Sequence, residues 1–181
     1  RRRQAVVGLL AGTMSRDEAF QFMRLGRNIE RADMTTRVLD VSYAINLPFQ
    51  DSQYRDLIWM SVLQALSAHQ MYRRHIGVHA KGHKVLSFLF NDVKFPRSVR
   101  HCLHELQFAL DELPGVEPMR CLQGMLNLVD GADYRVLAKN GLHEFCDDIQ
   151  ARVADLNAVI GETFFRASHS QKMSQSLFSL V

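Results

Sequence analysis

Between Met14 and Asn46 apolar residues recur at helical spacing on two sides of the chain. At about 100° per residue, Phe20, Met23, Met34, Val38, Val41 and Ile45 form one stripe, and Phe22, Leu25, Ile29, Ala32, Leu39 and Tyr43 form another. The pattern predicts one long helix, opened by Ser15 as N-cap with Glu18 at the spacing of a capping box and ended by Pro48. A helix apolar on two sides belongs at the centre of a bundle. Asp51 or Ser52 is expected to cap a second helix that runs to about His75 and buries Leu57, Ile58, Val62, Ala65, Leu66 and Tyr72. Gly77 and Gly82 bracket a turn, and Lys84–Phe90 forms a short apolar helix. Pro96 suits the first position of the next helix, where its missing N–H has no partner to lose. Val99, Leu103, Leu106 and Leu110 are its core face. Residues 119–139 read as helix interrupted at Gly131, and Leu142–Phe165 as a last long helix, followed by a loosely held tail over 166–181. No stretch alternates strictly enough to require a strand. The expected fold is all-α, one helical bundle of about five to seven helices.

The length of 181 residues fits one domain, able to bury roughly 70% of its unfolded surface. With 47% hydrophobic and 23% charged residues, disordered, collagen-like and loop-rich β classes are excluded. The three cysteines, Cys102, Cys121 and Cys146, lie apart in apolar-periodic segments, which points to reduced core thiols and a cytoplasmic protein. The longest uncharged run, Leu57–Tyr72, is shorter than the roughly 20 apolar residues of a membrane span, so no membrane association is expected. Position 1 is Arg, and the chain reads as part of a longer polypeptide.

The net charge of +3 hides an asymmetry: residues 57–104 carry seven Lys and Arg against one acid, and residues 105–181 carry six against eleven. An anionic ligand should prefer the middle third. The acidic last third and the small basic balance argue against nucleic acid. Of the 22 basic residues 17 are Arg, which suits bidentate recognition of carboxylate or phosphate as well as it suits a GC-rich genome.

Arg27, Glu30 and Arg31 interrupt the first stripe of the central helix and are neighbours on one face. Two readings are open: a salt-bridge network that fixes helix register, or Glu30 orienting Arg27 and Arg31 toward an anionic ligand or acidic partner. Asp33 and Arg37 form a further pair at i, i+4. Tyr72 and Arg73 continue the face of Ile58, Val62 and Leu66, and Arg97 starts the next helix. A composite of Arg27, Arg31, Arg73 and Arg97 around Glu30 would make a basic pocket. His75, His79 and His83 have the spacing of ligands on a helix, but Gly77 and Gly82 break it, and no carboxylate or cysteine completes a set. No metal and no cofactor are expected. No phosphate loop, nucleophile elbow or His-Glu-x-x-His motif is present.

The string Gly26-Arg27-Asn28-Ile29-Glu30-Arg31-Ala32-Asp33, continued by Thr35-Thr36-Arg37-Val38-Leu39-Asp40, resembles the motif of the bacterial alpha-E family, helical proteins named for a Glu-Arg pair. Further similar blocks follow in order: Tyr72-Arg73-Arg74, Phe95-Pro96-Arg97-Ser98-Val99 and Gly141-Leu142-His143-Glu144-Phe145, with Gly12-Thr13-Met14 and Arg16-Asp17-Glu18 ahead. The resemblance spans about residues 10–165 and is to the C-terminal half of the family. Where the family tends to show an aromatic and an acid before Tyr72, this chain has His69 and Gln70. The resemblance implies partners: a circularly permuted ATP-grasp protein and a transglutaminase-like protease, in a system proposed to make or modify peptides. It assigns no reaction. An accessory or binding role for the arginines is the first expectation. An enzyme with Glu30 as acid or base, and a purely structural bundle, are the alternatives.

Overall fold

The computed structural model describes residues 2–46 and 52–166, so Pro48, Asp51 and the tail from 167 onward lie outside the described residues. Within them the chain is all-α, with no strand. The helices are α1 (Arg2–Thr13), α2 (Glu18–Asn46), α3 (Ser52–Ala65), α4 (His69–His75), α5 (Gly82–Asn91), α6 (Val99–Asp111), α7 (Glu117–Asp130), α8 (Tyr134–Leu137) and α9 (Leu142–Ile160), which continues as π-helix over Gly161–Arg166.

Nine helices among the described residues exceed the five to seven expected, for local reasons. α1 was not foreseen. The segment expected as one helix from Asp51 or Ser52 to His75 divides at Ser67, whose φ of 55° turns the chain out of the right-handed helix, while Ala68 N–H donates to the Leu63 carbonyl at 2.7 Å. α2 begins at Glu18 rather than Met14, because Asp17 is its cap in place of Ser15: the Phe20 N–H donates to Asp17 Oδ1 at 3.2 Å. α6 begins at Val99 rather than Pro96, since buried Ser98 accepts the His101 N–H at 3.1 Å. Gly141, at φ 84°, supplies the left-handed residue that lets the chain enter α9.

Four helices form a closed ring in which α2 packs on α6 and α9, and α7 joins α6 to α9. α5 closes one end, packed on α3, α6, α7 and α8, with α4 lying on α3. Two aromatic groups fill that end. Phe90 stacks on Tyr134 (5.8 Å) and meets the edge of Phe145 (5.1 Å), while Phe88 takes Tyr72 edge-on (5.6 Å) and stacks on Phe95 (5.1 Å).

α2 shows one buried face rather than two. Leu25, Ala32, Leu39 and Tyr43 of the second stripe are buried, whereas Met34, Val41 and Ile45 of the first are each more than half exposed. Cys102, Cys121 and Cys146 are free thiols, Cys121 only half-buried. Burial pushes Cys102 and Cys146 up to about 12, which leaves both thiols protonated and unreactive at neutral pH. Among the described residues, no helix is long and apolar enough to cross a membrane.

Candidate functional site

The exposure of the first stripe changes the geometry of the Arg27, Glu30 and Arg31 group. On a helix these positions span an arc of roughly 100°, and the packing of α6 decides which edge of the arc is covered. Arg27 and Arg31 lie on the covered edge, half-buried, and Glu30 lies outside it, exposed and without an ion pair among the described residues. Glu30 is therefore not the clamp between the arginines that the spacing suggested. The carboxylate on this seam is Glu105 of α6, and Arg24 takes it with a 3.0 Å hydrogen bond from Nε. That bond, then the Arg24 charge, holds the Glu105 carboxyl below its usual range against the opposing effect of burial.

Arg31 is left without a paired carboxylate among the described residues. Burial lowers its pKa first and the neighbouring Arg27 guanidinium next, with Arg97 adding to the repulsion and Glu105 opposing it only weakly. Arg27 has its Nε buried with no hydrogen-bond partner. Arg97 reaches the group because the loop before α6 is pinned to α2: Thr35 Oγ1 donates to the Arg97 carbonyl at 2.9 Å. Three guanidinium groups thus converge on the α2–α6 seam, one exposed and two half-buried, and none is neutralised by an ion pair among the described residues.

The remaining expected site residues fall elsewhere. Tyr72 is buried, donates to the His79 carbonyl at 2.9 Å and packs on Phe88, so it pins the α4–α5 loop and offers nothing to a ligand. Arg73 is exposed on α4, which packs on α3, and is not among the charges that act on Arg31. Arg37 pairs with Asp33 on its own helix at 2.7 Å, and that hydrogen bond raises its pKa. The composite pocket thus reduces to Arg27, Arg31 and Arg97. His75 and His83 belong to different helices, so no helical histidine ladder forms.

One polar seam escaped the sequence pattern. His143 at the start of α9 donates from Nδ1 to Oδ1 of Asp40 on α2 at 2.7 Å, and its Nε2 lies 3.5 Å from Asp147. Ligand atoms of these three side chains lie within 4.8 Å of one another, the one such group among the described residues. Each ring nitrogen already faces a different carboxylate, so the arrangement is that of an ion-paired imidazole, in which a cation could take only one nitrogen. The hydrogen bond to Asp40, then the Asp40 and Asp147 charges, raise the His143 pKa above the ordinary histidine value. Stability from a raised pKa is fully present below the unfolded value of about 6.5 and is lost as pH rises through the higher folded value. The melting difference between wild type and His143→Gln should therefore be larger near about pH 5.5 than near about pH 8.5. Equal differences at both would mean that the pair is not charged.

The described residues thus form an all-α ring in which three arginines without an ion pair share one seam. The chain belongs to the Alpha-E family, described as a predicted alpha-helical domain with a conserved ER motif, whose model matches residues 1–165. The match starts ahead of residue 10, and the narrower placement in the C-terminal half of the family is set aside. The sequence contains one Glu-Arg dipeptide, Glu30-Arg31, at the centre of this site. No curated protein and no solved structure matches the chain.

Proposed function

We propose that this chain is a non-catalytic accessory protein of the bacterial cytoplasm. It acts with a circularly permuted ATP-grasp protein and a transglutaminase-like protease in a peptide synthesis or modification system. Arg27, Arg31 and Arg97 hold a carboxylate or phosphate of the peptide or partner, and exposed Glu30 lies beside them to meet a basic group. One observation carries this reading: Arg31 is half-buried, repelled by Arg27 and Arg97, and has no carboxylate of its own. Such an arrangement is unfavourable in the free protein and is relieved when an anion docks, so the free energy favours the complex. Glu30 stands in solvent with no partner among the described residues to orient it, which supports contact over proton transfer.

The test is retention of the circularly permuted ATP-grasp protein by this protein, as wild type, Glu30→Gln and Arg27→Gln/Arg31→Gln, with thermal melting of each. The arginine variant should lose roughly tenfold or more in affinity. Its melting temperature should hold or rise, because the substitution removes a desolvated and repelled charge. A variant that melts well below wild type yet retains the partner would make the cluster structural and end the proposal.

A further inference from the structure

A second cationic feature lies at the start of α5 and shares no residue with the arginine seam. A cavity of about 820 Å³ is lined by His75, His83, Lys84 and Arg135, with Ser87 and Asp133. A cavity of about 320 Å³ adjoins it, sharing His83 and Arg135 and adding Arg55, Lys81 and Lys139, with Asp56 and Trp59. Five Lys and Arg thus face two acids across the joined space. None of the five makes an ion pair among the described residues. Asp133 is already committed as the cap of α8, accepting the N–H groups of Arg135 and Val136 at 2.8 and 3.3 Å.

The helix start adds donors to these charges. No side chain caps α5, whose cap position is Lys81, and the first-turn N–H groups of Gly82 and His83 have no acceptor among the described residues. Unsatisfied N–H groups at a helix start favour an anion. Gly82 lets the Trp59 indole pack against the helix start: a Cβ there would stand 2.8 Å from its Nε1. Burial, then Arg135, Lys84 and Lys81, lower the His83 pKa, so the field of the three cations reaches the shared wall.

We propose that these joined cavities are a binding site for an oligophosphate group, free or carried by a small organic molecule. The walls hold a surplus of three positive charges, whereas one phosphate monoester carries about −1.5 to −2 at pH 7, so two or more linked phosphates are needed to balance them. A single carboxylate would be satisfied by Arg135 alone. A third cavity of about 410 Å³, lined by Leu128, Val136, Leu137 and Phe145, meets the first at Gly131–Asp133 and gives an attached organic group an apolar place to lie.

The chain supplies its own reporter, since Trp59 is the one tryptophan and lines the site. Tripolyphosphate, ATP and citrate are titrated into the full chain and followed by Trp59 fluorescence and by calorimetry. Tripolyphosphate should bind at one saturable, salt-sensitive site, with roughly tenfold weaker affinity in Lys81→Gln/Arg135→Gln. Lys84→Gln/Lys139→Gln serves where the first variant fails to fold, with the same expected loss. Tighter binding of ATP supports an organic oligophosphate through the apolar cavity, and equal binding supports the inorganic group. The proposal is overturned by absence of saturation, by equal affinity in wild type and the cavity variant, or by citrate binding as tightly as tripolyphosphate. It is also overturned if Arg27→Gln/Arg31→Gln abolishes binding while the cavity variants do not, since the anion then sits on the other seam.

Discussion

Phe90→Ala should cost about 3–5 kcal/mol of folding free energy. Phe90 is fully buried, and its ring packs α5 on α8 through Tyr134 and on α9 through Phe145. Removing it opens a cavity between three elements and ends two ring contacts worth about 0.5–1.5 kcal/mol each beyond area. At roughly 2–4 °C per kcal/mol for a domain of this size, the melting temperature should fall by about 6–20 °C. Urea unfolding should show a lower midpoint with an unchanged slope. Phe108→Ala is the companion measurement, because that ring is more than half exposed on α6 and its loss should change stability by about 0.5 kcal/mol or less. Equal losses at the two positions would contradict the packing at this end of the bundle.

Ser98→Ala should cost about 2–4 kcal/mol, although it removes a single oxygen. The buried hydroxyl acts twice, accepting the His101 N–H to cap α6 and donating to the Asp92 carbonyl. Loss of the cap accounts for about 1 kcal/mol, and the orphaned carbonyl for about 1–3 kcal/mol more. Ser98→Thr keeps both bonds and should recover most of the difference, whereas a cost that follows side-chain size instead would point to packing. The same loop is held by Asp92 Oδ1, which accepts the Lys94 and Phe95 N–H groups at 2.8 and 2.7 Å, and it carries Arg97 to the seam. Ser98→Ala should therefore weaken partner retention as well as stability, measured by the pull-down described above.

The helical class was legible because α2, α6 and α9 each repeat their apolar residues at helical spacing. Which stripe of α2 is buried was not, because both stripes are equally apolar and the deciding residues are polar. Asn28, Thr35 and Thr36 lie on the buried face, and each satisfies a donor on a main-chain carbonyl: Asn28 on Arg24, Thr35 on Arg97, Thr36 on Asp33. Two of these acceptors lie within one turn of α2, but the Arg97 carbonyl is 62 residues away, and polar side chains that carry their own acceptors do not mark a buried face in the apolar pattern. The closeness of Arg27 to Arg31 followed from their separation of four. Glu30's exposure did not, since it depends on where α6 lies. Likewise the basic middle third contained Lys81, His83 and Lys84, but Arg135 and Lys139 come from the acidic last third and meet them only through the α5–α8 packing.

The ring also has a direction in time. Its α6–α7–α9 portion joins elements that follow one another in the chain, whereas α2 meets α6 and α9 through contacts such as Arg24–Glu105 and Asp40–His143, which are 81 and 103 residues apart. The entropy of closing long loops falls on these two seams. Synthesis proceeds from the N-terminus, so α2 is complete while the helices that will cover it do not yet exist. Through that interval Arg27, Glu30 and Arg31 are all open to solvent, and the two seams of α2 close only once α6 and then α9 have been made.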